Sequence, residues 1–104
     1  MNPFNICSIL YSIRKGNAMP EICRFFGIVI AVFYDDHNPP HFHARYGGKK
    51  VSMEIDSLRV LEGNISPRAL GLIMEWAAQH KDELLEDWEL AKHNTQPKKI
   101  EPLQ

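Results

Sequence analysis

His41-Phe42-His43-Ala44-Arg45-Tyr46-Gly47-Gly48-Lys49-Lys50-Val51-Ser52-Met53-Glu54-Ile55 is the stretch that decides how this chain folds. Gly47-Gly48 reads as a two-residue hairpin turn, since glycine enters the positive-φ conformations such turns require. With that loop, Arg45 faces Lys50, His43 faces Ser52 and His41 faces Glu54. Successive strand side chains point to opposite faces. One face therefore carries His41, His43, Arg45, Lys50, Ser52 and Glu54, and the other Phe42, Ala44, Tyr46, Val51, Met53 and Ile55. So clean a division predicts an antiparallel sheet with one packed face and one wet face, the histidines on the wet one.

Working outward, Phe25 to Tyr34 is β-branched, aromatic and apolar throughout, and reads as one central strand. Asn38-Pro39-Pro40 stops it, because proline cannot donate to a ladder. Downstream, Asp56-Ser57 turns the chain and Leu58 to Leu61 makes a short fourth strand, with Arg59 opposite Glu54 and Val60 opposite Met53. Ser66-Pro67 is an N-cap followed by proline at the first helical position. Leu70, Ile73, Met74 and Ala77 then form an apolar stripe at helical spacing, suited to covering the packed face. Leu84, Leu85, Trp88 and Ala91 continue it beyond a polar step at His80-Lys81-Asp82, which reads as a break between two helices. The second helix shows an acidic surface of Asp82, Glu83, Glu86, Asp87 and Glu89. Trp76 and Trp88 read as core or interface anchors, His80 as a helix-junction cap, and His93 as a surface residue near a helix C-terminus. The expected fold class is α+β, an antiparallel sheet of three to four strands with two C-terminal helices packed on one face.

The chain has 104 residues, 44% of them hydrophobic and 24% charged, with a formal net charge of -1. That is the balance of a single soluble globular domain. The near-neutral charge supplies no global field toward nucleic acid or anionic membrane, and the longest apolar run is about half a membrane span. Cys7 and Cys23 are too few for a disulfide framework and form no Cys-x-x-Cys pair, which suits a cytoplasmic location. Residues 1–18 show no clean periodicity. The codons for Lys15-Gly16 can spell a purine-rich ribosome-binding sequence before Met19, so residues 1–18 are expected to be a non-native or disordered extension. Residues 19–95 form the single domain and 96–104 an extended tail, with Lys98-Lys99 expected to remain solvated rather than to dock on the acidic helix.

The chemistry concentrates in Asp35-Asp36-His37-Asn38-Pro39-Pro40-His41-Phe42-His43, where three of the five histidines and two carboxylates surround a rigid Pro-Pro step. Histidine titrates near neutral pH, binds transition metals as the neutral ring and passes protons in either direction. Three uses compete. In the first, His41 and His43 chelate a metal, with His37 and Asp36 (or Asp35) supplying further ligands; such a set suits Zn, Ni or Fe(II). In the second, His41, His43 and Arg45 act as the catalytic set of an RNA phosphodiesterase, with Arg45 and Lys50 binding phosphate. In the third the residues serve the turn alone: His37 caps the loop, His41 pairs with Glu54 and His43 bonds Ser52, within a protein-interaction module.

These segments, together with Met19-Pro20-Glu21-Ile22-Cys23-Arg24-Phe25-Phe26-Gly27-Ile28, Tyr46-Gly47-Gly48, Arg68-Ala69-Leu70, Glu75-Trp76-Ala77, His80 and Glu83-Leu84-Leu85-Glu86-Asp87-Trp88, resemble a small prokaryotic domain-of-unknown-function family, number four-one-six-zero. The resemblance runs from Met19 to roughly Leu103 and transfers no catalytic assignment. It implies a partner, a small protein encoded by a neighbouring gene, in an arrangement similar to toxin–antitoxin pairs. The resulting expectation is one component of such a two-gene module, acting on RNA or regulating its operon. A metal-binding protein using the His37/His41/His43 cluster, or a pure protein-interaction module, is the alternative. No membrane partner is expected, and a homodimer is left open.

Overall fold

The structure is a computed structural model and describes residues 19–104. The expected extension over 1–18, with Cys7, lies outside the described residues. Five strands come first: β1 (Glu21–Phe25), β2 (Ile28–Ala31), β3 (His41–Tyr46), β4 (Lys49–Glu54) and β5 (Val60–Gly63). Two helices follow, α1 (Pro67–Gln79) and α2 (Lys81–Lys92). The strands form one antiparallel meander in the order β1-β2-β3-β4-β5. The α+β class is as expected, with one more strand than the upper count.

The extra strand comes from the apolar run. Phe26 and Gly27 take φ values of 49° and 82°, so the expected single strand from Phe25 to Tyr34 is split by a tight turn into β1 and β2. Hydrophobicity hid that turn, because Phe26 occupies it with its ring 62% exposed; Gly27 is the one residue of the run whose chemistry signals it. The β3–β4 register is as expected, with His41 opposite Glu54, His43 opposite Ser52 and Arg45 opposite Lys50. Met53 pairs with Val60 as expected, but the next pair is Ser52 with Glu62, so a bulge shifts the ladder. The last strand also starts later than expected. Leu58 sits at φ 61° and donates its amide to the Glu54 carbonyl at 2.9 Å, closing the turn that separates β4 from β5.

The core lies between the Phe42 face of the sheet and the helices. Ser66 caps α1 by accepting from the Ala69 amide at 3.2 Å. Helix α1 buries Ala69, Ile73, Trp76 and Ala77, whereas Met74 is 40% exposed, so the buried stripe is rotated from the expected one toward Trp76. The cause is the indole: Trp76 fills the space between Phe25 and Phe42, at ring separations of 5.5 and 6.3 Å. Burying so large a side chain outweighs what the flexible Met74 would contribute. His80, at φ -130°, ends α1 and precedes α2, which confirms the two-helix reading. Its ring lies against Trp76 and pairs with Glu83.

Two expectations about the second helix and the tail are corrected. Asp87 belongs to the buried face of α2 with Leu84, Trp88 and Ala91, while Leu85 is exposed. The tail covers it: the Lys98 amide donates to Asp87 Oδ1 at 2.8 Å, and Lys98 Nζ pairs with Glu86 at 2.7 Å. Further along, the Ile100 amide donates to the Ile22 carbonyl at 2.8 Å, and the Trp76 indole N–H donates to the Glu101 carbonyl at 2.7 Å. The tail is extended but docked, because it buries Ile100 and satisfies an indole donor that the core would otherwise leave unpaired.

Burial pushes the Asp87 carboxyl up to about 6, helped by the nearby charges of Glu86 and Glu83 and opposed by the Lys98 amide. Its second oxygen has no hydrogen-bond partner among the described residues. A carboxyl raised in the folded state destabilises wherever it must be charged. The penalty is absent below the ordinary value, grows up to about pH 6 and is full above it. Asp87→Asn, which keeps one acceptor for Lys98, should therefore stabilise the protein by about 1–2 kcal/mol at neutral pH. Thermal unfolding of both proteins from pH 7.5 to pH 4 checks this: the advantage should hold down to about pH 6 and shrink from there to pH 4.

Candidate functional site

The loop between β2 and β3 is held at both ends by backbone. The Asp35 amide donates to the Ala91 carbonyl at the end of α2, at 3.0 Å, and the Pro40 carbonyl accepts from the Ile55 amide at 3.0 Å. Between these anchors the Asn38–Pro39 peptide is cis. The loop thereby brings Asp36 over the start of β3, where His41 and His43 project from one face.

Asp36 is the centre of the cluster. Its Oδ2 lies 2.9 Å from His41 Nε2 and 3.3 Å from His43 Nε2. Its Oδ1 accepts from the His37 amide at 2.8 Å and lies 2.9 Å from His37 Nδ1. The His41 and His43 rings are 5.0 Å apart, and those of His37 and His41 5.4 Å. Trp88 backs His41 at 5.1 Å, and Phe33 stacks on His43 at 4.1 Å. Side-chain exposure is graded, from 5% at His41 through 11% at Asp36 and 21% at His43 to 85% at His37. The cluster thus has a sealed inner wall and an open outer side.

The hydrogen-bond pattern dictates the proton positions. His41 Nδ1 lies 2.7 Å from the Pro39 carbonyl, which can only accept, so Nδ1 carries a proton and donates it. In the neutral ring Nε2 then presents a lone pair, 2.9 Å from a carboxylate oxygen that also presents lone pairs. Such an approach requires either a proton shared between the two groups or a cation between them. Burial raises the Asp36 carboxyl, but the His37 amide, the His43 hydrogen bond and the charges of His41 and His43 outweigh it, and the group ends below its ordinary value. Burial drives His43 below the usual histidine value, against a smaller opposing pull from Asp36. The pocket therefore holds an ionised carboxylate beside a His43 ring that favours its neutral form, which is the state a metal ligand needs.

The structure brings together three of the four expected metal ligands. The donor atoms of Asp36, His41 and His43 lie within 4.8 Å of one another. His37 stays at the rim on the other carboxylate oxygen, and Asp35 is exposed outside the cluster. The expected catalytic set of His41, His43 and Arg45 is divided: Arg45 is exposed and makes no hydrogen bond or ion pair with the histidines among the described residues. Lys50 is exposed beside it. The expected wet face is also corrected, since His41 and Ser52 are 4% and 8% exposed; the Asp36 loop and Trp88 close over that end of the sheet. Nor do the expected structural pairings form. Glu54 bonds Ser57 and Arg59, at 2.6 and 3.0 Å, while His41 and His43 both turn to Asp36. The Pro39 carbonyl, Phe33 and Trp88 were not anticipated as parts of the site; only the spacing of Trp88 on α2 could have hinted at its place.

A family model described as Domain of unknown function (DUF4160) matches residues 27–89, which include the whole cluster. The chain belongs to that family. The matched segment of this DUF4160 chain starts in the β1–β2 turn and ends within α2, so the sheet from β2 onward and its histidine loop are the shared part. No curated protein and no solved structure matches the chain. Among the described residues, no helix is long and apolar enough to cross a membrane.

Two opposed effects on His43 make a prediction for this DUF4160 site in metal-free protein. Asp36→Asn removes the pull that supports the charged ring and leaves the burial that opposes it. The His43 titration should move further down, as read from ring-proton NMR shifts against pH. A titration that stays put or rises would show that Asp36 does not hold the ring.

Proposed function

We propose that this protein binds a divalent transition metal through Asp36, His41 and His43. One observation carries the reading: both imidazole Nε2 atoms approach the same carboxylate oxygen, at 2.9 and 3.3 Å, while the Pro39 carbonyl fixes the tautomer that leaves the His41 Nε2 lone pair facing it. Neighbouring donors of one ion bound at about 2.1 Å lie about 3.0–3.4 Å apart; the His43 edge, at 3.3 Å, falls in that range and the His41 edge, at 2.9 Å, lies just below it. Metal-ligating histidines commonly donate their second nitrogen to a backbone carbonyl, as His41 does to Pro39. Two nitrogens and one carboxylate oxygen suit Zn, Ni or Fe(II). Cys23 takes no part, because it is buried in the core and burial pushes its thiol up.

The grading of exposure favours a working centre over a closed structural one. His41 forms the dry inner ligand, His43 the half-open one, and His37, 85% exposed, stands at the outer rim on the other carboxylate oxygen. An ion held by three protein ligands retains positions for water or substrate and supplies Lewis-acid chemistry there. Within that scheme Asp36 neutralises charge, Pro39 and Trp88 orient His41, and Phe33 restricts His43.

The second reading comes from the family resemblance: one component of a two-gene toxin–antitoxin-like module, acting on RNA or regulating its operon. The observation that favours it is the exposed pair Arg45 and Lys50 on the sheet face that carries the cluster. Co-purification with the product of the neighbouring gene tests it.

The metal reading is tested on tag-free protein by calorimetric titration with Zn(II), Ni(II) and Fe(II). One ion should bind per chain. His41→Ala, His43→Ala and Asp36→Ala should each weaken binding by about 100-fold or more, and affinity should fall as pH drops from 7.5 to 5.5, because protons compete for the ligands. Binding unchanged in all three variants would overturn the assignment.

A further inference from the structure

The sheet face that holds the histidines carries a second constellation. Register places Arg24 beside Val29, Val29 beside Arg45, and Arg45 beside Lys50, so these four make one row across β1 to β4. The adjacent row contains Glu21, Ala31, His43, Ser52 and Glu62. Neighbouring strands are about 4.8 Å apart and alternate residues of a strand about 6.8 Å apart. The cation row therefore spans about 14 Å and lies one pleat repeat from His43. Around it an open groove is lined by Arg24, Arg45, Tyr46, Lys49 and Lys50, with the Gly47-Gly48 turn at one end.

The charge in this groove is concentrated, not inherited from the chain, whose net charge is -1. Arg24 is already engaged, its guanidinium held by Glu21 at 2.8 and 2.9 Å. Arg45, Lys49 and Lys50 are exposed and make no ion pair among the described residues. Glu62, exposed on β5, and Glu21, engaged with Arg24 on β1, are the acidic groups of the adjacent row. The rim adds aromatic surface at the turn end, where Tyr46 is 41% exposed with its ring against the Gly27 backbone. A side chain built at Gly47 or Gly48 would meet nothing within 4 Å, so the end of the groove is open to a passing chain.

We infer that this groove binds a single strand of nucleic acid through its phosphates. Three unpaired cations in an open trough match successive phosphates of a flexible strand, whereas a small phosphorylated metabolite calls for an enclosed pocket. The exposed Tyr46 ring at the rim suits a base stacked without sequence preference. A duplex would present a rigid, convex backbone that the shallow trough meets along too short a length. The inference rests on the second reading above, action on RNA favoured by exposed Arg45 and Lys50, and names the form of nucleic acid bound. It stands on different residues from the metal reading, and the two fail separately.

The test uses the full chain with fluorescein-labelled twelve-nucleotide oligouridylate, oligothymidylate and a twelve-base-pair duplex, read by anisotropy from 25 to 300 mM KCl. Three neutralised phosphates predict a slope of log K against log salt of about -2 for the single strands. Arg45→Ala with Lys50→Ala should lower single-strand affinity by about tenfold or more at low salt and reduce that slope by about 1.4. Lys92→Ala, on α2, should change neither. Equal binding of both single strands supports a backbone-read site, and preference for oligouridylate supports it and names RNA as the source. Failure of both single strands to bind at 25 mM KCl, preference for the duplex, or affinity unchanged in the double variant would overturn it. His41→Ala separates the two readings: it should lose metal and keep the oligonucleotide.

Discussion

Everything at the site follows from the pleat of β3. Phe42 must enter the core, where it meets Trp76, so His41 and His43 must leave by the opposite face. Two imidazoles two residues apart on one strand would normally stand in water. Here the preceding loop folds back and places one carboxylate between them. The apolar packing on one face thereby fixes the donor geometry on the other, and a one-residue slip would destroy both together.

The second constraint is protonation. A buried carboxylate with three histidines around it has too few fixed protons for every contact. The Pro39 carbonyl takes the Nδ1 proton of His41, and the His37 amide satisfies one oxygen of Asp36. What remains is the His41 Nε2 lone pair facing an oxygen of Asp36, a contact that calls for a proton or a cation. In a small domain with a modest core, such a cluster is a poor device for stability alone, because apolar residues would pack the same space without a desolvation cost. Its place between Trp88 and Phe33 is consistent with the cation site proposed above.

Much of this was legible in the residues. The Gly47-Gly48 turn and strict alternation gave the β3–β4 register pair by pair, and Ser66-Pro67 and His80 marked the helix boundaries. Legibility failed where tertiary packing overrode local pattern. The Phe26-Gly27 turn was concealed by an exposed phenylalanine. Asp87 and Met74 exchanged their expected environments, because the docked tail supplies a hydrogen bond to the first and Trp76 displaces the second. At the site, the short-range cluster of histidines and carboxylates was visible, but which carboxylate would serve was not. That choice depends on the Asp35 amide bonding to the Ala91 carbonyl, an attachment made by a helix far along the chain.

The most direct measurement is the ring-nitrogen NMR spectrum of uniformly 15N-labelled protein before and after one equivalent of Zn(II). The account predicts that His41 keeps its Nδ1 proton throughout, and that the Nε2 atoms of His41 and His43 alone acquire the shifts of coordinated nitrogen. Coordination through His41 Nδ1, or shifts confined to His80 and His93, would contradict it.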